Sequence, residues 1–137
     1  MSLLDQIESQ PKRTDGQPPP VRVNVQGVDG IGKSTFGANA PSPIFIQAED
    51  GLKFIDNAAR FPVIETWNQL LQQVKTLIEE SHDYQTVVID TTDAASKFGE
   101  EFVCESNGWS GPQDKAAGYG AFYVAEENAW RKLLQGL

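Results

Sequence analysis

The chain has 137 residues, a formal net charge of −8, 39% hydrophobic residues and 22% charged residues. These values suit one soluble globular domain. They give no support to nucleic-acid binding through a basic surface, and no apolar run approaches the roughly 18 residues that a membrane span needs. The single cysteine, Cys104, cannot form an internal disulfide, and the N-terminus lacks a signal-peptide pattern, so a reducing cytoplasm is the expected home.

Residues 1–20 read as an appended tail. Residues 2–7 allow a turn of helix. Residues 10–20 are polar and end in Pro18, Pro19 and Pro20, the composition of an extended linker. The folded unit is expected over residues 21–137.

In residues 21–26, Val21, Val23 and Val25 alternate with polar residues, which predicts a strand. It leads into Gly27, Gly32, Lys33 and Ser34, which satisfy the pattern G-x-x-x-x-G-K-[ST]. That pattern describes a loop whose backbone N–H groups wrap a polyphosphate, with the positive end of a following helix aimed at the same charge. The expected cradle comprises Gly27, Asp29, Gly30, Ile31, Gly32, Lys33, Ser34 and Thr35. Lys33 would reach the terminal phosphates, and the Ser34 hydroxyl would help hold Mg²⁺. Asp29 adds a negative charge to the loop and is expected to point to solvent. Residues 33–40 predict a short helix stopped by Pro41.

Residues 43–48 predict a second strand, with Glu49 and Asp50 at its end. Residues 61–64 form a short apolar piece in a loose segment. From Thr66, the residues Trp67, Leu70, Leu71, Val74, Leu77 and Ile78 recur at helical spacing, and Thr66 with Gln69 has the spacing of a capping box. This helix reads as scaffold. His82 reads as a solvated turn residue.

Residues 86–90 predict a third strand, whose β-branched run suggests burial on both faces. It ends in Asp90. Residues 92–105 read as helix, and Cys104 as a small, partly buried apolar residue on it. Residues 107–120 read as an irregular glycine-rich segment. Residues 121–137 read as a helix with Phe122, Ala129, Trp130, Leu133, Leu134 and Leu137 on one side. Strands alternating with helices indicate an α/β fold with a parallel sheet flanked by helices.

Two carboxylates add to the loop. An acid at the tip of an apolar strand, such as Asp90, holds the Mg²⁺ shell opposite the loop serine in P-loop proteins. Sites in open α/β sheets lie at the carboxyl ends of strands, so Glu49 could polarise an attacking water as general base. Arg60, Lys53 and Lys97 are candidates for a cationic finger, and each reads more simply as a surface charge.

Residues 27–35, 44–52 and 86–93 resemble the RecA-like P-loop ATPases, and most closely the phage-encoded ATP-binding proteins associated with recombination and single-strand annealing. Gly118, Tyr119 and Gly120, and residues 130–134, are similar to the same group. The resemblance covers residues 21–137. It implies ATP and Mg²⁺ as cofactors, Lys33 and Glu49 as catalytic groups, and Ser34 and Asp90 as metal ligands. Single-stranded DNA and a single-strand-binding protein are implied partners. A homo-oligomer in a bacterial host cytoplasm is expected, with no membrane partner. The resemblance further implies strands after Leu137, one of them between the strand at 21–26 and that at 86–90, so the core is expected to be incomplete at its C-terminus. Two alternatives stand beside this reading. One is a non-catalytic ATP-binding assembly module. The other is a nucleoside monophosphate kinase, whose loop residues 29–35 also resemble, but whose clustered arginines this chain lacks.

Overall fold

The computed structural model describes residues 16, 20–118 and 120–137. The helical turn expected at residues 2–7, the linker up to Pro19 (apart from Gly16), and Tyr119 lie outside the described residues. Backbone contacts divide the chain into two units, Met1–Ile31 and Gly32–Leu137.

In the first unit the described residues contain no helix or strand. The strand expected at residues 21–26 is not formed, and Val21 is 87% exposed. An alternating pattern specifies which face of a strand is buried. The strand itself exists only where a neighbour completes its hydrogen-bond ladder. A turn follows at Asp29 and Gly30, where the Ile31 N–H donates to the Val28 carbonyl at 3.3 Å.

The second unit is built on a three-stranded parallel sheet. Its elements are helix α1 (Lys33–Ala38), strand β1 (Pro43–Gln47), strand β2 (Ala59–Arg60), helix α2 (Trp67–Glu79), strand β3 (Thr86–Asp90), helix α3 (Thr92–Asn107) and helix α4 (Ala121–Gly136), with a 3-10 turn at Lys115–Ala117. The strand order is β2-β1-β3. The short β2 had no separate signature in the sequence. It pairs with β1 at Ile44↔Ala59 and Phe45↔Arg60, and its ladder continues as the Phe61 N–H donates to the Phe45 carbonyl at 2.9 Å.

Side chains alternate between the faces of a strand, and this sheet is covered on both. Phe45 and Val88 share a register position, and both pack on Gly37 of α1, where a Cβ would lie 2.9 Å from Val88 Cγ1. The absence of a side chain at Gly37 is what lets α1 approach. On the opposite face, Ile46, Val87 and Ile89 join Trp67, Leu70, Val74, Ala95 and Leu133 in the main core. Trp67 anchors it: its ring meets Trp130 edge-on at 5.0 Å and stacks on Phe102 at 6.5 Å. A second cluster joins Val103, Cys104 and Phe122. Cys104 is thus a buried helical thiol, and burial, with Glu100 and Asp114 nearby, pushes its pKa above the ordinary thiol value. Both faces of β3 are covered, but not completely. Thr86, Val87, Val88 and Ile89 are half-buried, because among the described residues β3 has a paired neighbour on one side only.

The helix ends follow local chemistry. Thr66 caps α2 by accepting from the Gln69 N–H at 3.2 Å. Gln69 returns its side chain to the N–H of Glu65 at 2.6 Å, one residue before the capping-box position. Thr91 caps α3 in the same way, accepting from the Ala94 N–H. Gly108 ends α3 with a left-handed φ of 69°, a conformation glycine adopts without steric cost. His82 is exposed, and its Nε2 bonds the Leu77 carbonyl at 2.8 Å.

Candidate functional site

The glycine-rich loop crosses the boundary between the two units. In the first unit, a Cβ on Gly27 would lie 2.7 Å from Ile31 Cγ2, so the exposed Ile31 side chain would have to shift to admit one. Gly30 has a φ of 79°, and Asp29 is exposed, as its expected solvent-facing position requires. In the second unit, Gly32 forms the N-cap of α1 with φ 103° and accepts from the Phe36 N–H at 2.9 Å. Both positive φ values sit in the region that L side chains rarely adopt. Lys33 and Ser34 open α1 and are half-buried; Thr35 is exposed.

Ser34 Oγ donates to Asp90 Oδ2 at 2.5 Å, between residues 56 positions apart in sequence. This is the length of a hydroxyl–carboxylate bond. Asp90 is one of the few buried polar residues, at 9% exposure. Its place at the tip of β3 is fixed by register opposite Gln47 and by the Ala48 N–H, which donates to the Asp90 carbonyl at 2.8 Å. The strand, the helix cap at Thr91 and the packing of α1 on Val88 together bring the serine hydroxyl and the carboxylate into contact.

Glu49 follows Ala48 and is exposed at the same carboxyl edge of the sheet. Its carbonyl accepts from the Gly51 N–H at 2.9 Å. Lys53 forms a surface ion pair with Asp50 at 3.3 Å, and Lys97 is an exposed residue of α3. Arg60 is exposed, as a surface charge is, but it also bonds to backbone. Its guanidinium donates to the carbonyls of Ala58 at 3.1 Å, Leu52 at 3.0 Å and Ile55. Gln47, by contrast, is buried, and donates from Nε2 to the Phe61 carbonyl at 2.8 Å. Neither role has a sequence signal, since all four partners are backbone carbonyls of a segment without periodicity.

The donor set of Ser34 and Asp90 fits Mg²⁺, which takes oxygen ligands, often one or two from carboxylates, and keeps waters and substrate phosphates for the rest. Among the described residues no group of three or more His, Cys, Asp or Glu could hold a metal ion. A cation here would therefore share its shell with water and phosphate oxygens. No helix among the described residues is long and apolar enough to cross a membrane.

A parallel α/β sheet with a glycine loop, a lysine, and a serine joined to a strand-tip aspartate describes the nucleotide site of a P-loop protein. The family comparison agrees: the AAA domain model matches residues 19–137, and the chain belongs to that family. It is also similar to the SPbeta prophage-derived uncharacterized protein YorG of Bacillus subtilis (strain 168), with 24% identity over 115 residues. The match covers 81% of this chain and 35% of that protein, so the chain spans about a third of the relative's length. No solved structure gives a significant match.

Proposed function

We propose that this chain carries the nucleotide site of a Mg²⁺-dependent ATPase, with residues 21–137 belonging to a RecA-like ATPase domain. The observation that supports this most is the 2.5 Å bond between Ser34 and Asp90, because it joins the two groups that a P-loop site needs on one cation. Membership of the AAA domain family supports nucleotide binding through the same loop.

In this reading the backbone N–H groups of the loop, with Gly27, Asp29, Gly30, Ile31, Gly32 and Thr35 shaping it, hold the phosphates. Lys33 Nζ neutralises the terminal phosphates. Ser34 Oγ and the Asp90 carboxylate hold Mg²⁺, which when bound neutralises charge on the phosphate oxygens. A Glu49 carboxylate oxygen takes the proton of the attacking water. Most of the acceleration comes from positioning and charge stabilisation.

A role in DNA recombination or repair, with single-stranded DNA, a single-strand-binding protein and further copies of the chain as partners, rests on the RecA-like resemblance alone. The prophage origin of the Bacillus relative supports a phage protein working in the cytoplasm of a bacterial host. The exposure of Glu49 favours a second reading, a non-catalytic module that binds ATP to organise an assembly.

The test is ATP hydrolysis with Mg²⁺ by wild type and Glu49→Gln. A general base contributes about 10²–10⁴-fold, and a loss of that order is expected in the variant. Equal rates would remove Glu49 as the base. Bound nucleotide with no turnover in either protein would favour the module.

A further inference from the structure

We infer that Arg60 is a positioning residue for the carboxyl edge of β1: it clamps the loop between β1 and β2 and so fixes where Glu49 stands. The inference rests on the general-base reading of Glu49.

Glu49 lies in a short bridge between two anchors. On one side, Ala48 is buried and its N–H is bonded to the Asp90 carbonyl. On the other, Leu52 is 1% exposed, its side chain seated in the interior. Only Glu49, Asp50 and Gly51 lie between. The position of Glu49 therefore depends on how firmly Leu52 and the loop after it are held.

Arg60 does the holding. Its place is set by pairing with Phe45 across β1 and β2. From there the planar guanidinium spreads donors to the carbonyls of Leu52, Ile55 and Ala58. The Leu52 carbonyl also accepts from the Ile55 N–H at 3.1 Å, so one atom is shared by the turn and the clamp. The loop has no helix or strand of its own and presents Phe54, 96% exposed, to solvent. Leu52 is its one fully buried residue, Ile55 and Ala58 are half-buried, and the arginine adds three hydrogen bonds to its backbone. A lysine could not replace it, because an ammonium lacks the flat fork that reaches three separated carbonyls.

The test compares wild type, Arg60→Lys, Arg60→Ala and Glu49→Gln in three measurements. These are kcat and KM for MgATP hydrolysis, MgADP affinity, and amide hydrogen exchange of residues 50–58, with circular dichroism to confirm folding. Displacement of a catalytic group by about 1 Å can cost roughly 10²-fold, so Arg60→Ala should lose about 10- to 100-fold in kcat while MgADP affinity and KM change little. Exchange in residues 50–58 should accelerate. Arg60→Lys should fall between, whereas a merely structural role would move KM, affinity and kcat together. Accelerated exchange with unchanged kcat, while Glu49→Gln is inactive, would overturn the positioning role. Unchanged exchange in Arg60→Ala would overturn the clamp. Glu49→Gln as active as wild type would instead overturn the base reading, and the positioning role with it. If Arg60→Ala does not fold, the same criteria apply to Arg60→Lys.

Discussion

At the scale of single residues, local chemistry joins groups far apart in sequence, as Ser34 and Asp90 show across 56 positions. Lys33, Ser34 and Asp90 each belong to a short pattern with a physical purpose, and are proposed as site residues on that ground: a lysine after a glycine turn, a hydroxyl beside it, an acid ending an apolar strand. The contact between Ser34 and Asp90 was expected only as a shared metal shell, since no sequence rule gives a direct bond. Arg60 was not legible, because its partners are carbonyls whose placement depends on the turns of the loop. Removing a charge-assisted bond costs about 1.5–3 kcal/mol. Lys33→Ala should accordingly weaken ATP binding by about 10- to 100-fold, measured by calorimetry; unchanged affinity would contradict the phosphate-loop assignment.

At the scale of elements, helices were read well because their periodicity and caps are local. α2 and α3 start where Thr66 and Thr91 cap them, and β3 spans the five residues expected. Residues 21–26 show the limit: alternation names a face but cannot supply a pairing partner. Two predictions belong here. Gly37→Val would drive methyl groups into Val88 and Phe45, and overpacking of this kind costs about 1–3 kcal/mol. Urea unfolding should show that loss, and a wild-type midpoint would mean that α1 does not pack through Gly37. On α4, burial and then the nearby Glu100 raise the pKa of Glu126 above the usual carboxylate range. A raised acid favours the folded state fully only below its unfolded pKa, and this contribution is lost as pH rises through the folded value. Glu126→Gln should therefore raise the melting temperature near neutral pH, with the gain fading as pH falls through the glutamate range. A gain independent of pH would show that desolvation and Glu100 are not the cause.

At the scale of the molecule, the α/β class followed from alternation of strand and helix patterns, and the parallel sheet with helices on both faces agrees with it. Strand order was harder to read. It depends on which strands find neighbours, and β2 is two residues long with no pattern of its own. The acidic balance of the chain leaves any DNA contact to local surfaces rather than to overall charge. Within the second unit, Ser34 at the start of α1 and Asp90 at the tip of β3 meet in one hydrogen bond, and we propose that this pair holds the cation of a bound nucleotide. The most direct test is calorimetric titration of ATP into wild type and Asp90→Asn, each with Mg²⁺ and with EDTA. Wild type should bind about ten-fold or more tightly with Mg²⁺, and the variant should lose that dependence. Equal dependence on Mg²⁺ in the two proteins would contradict the account.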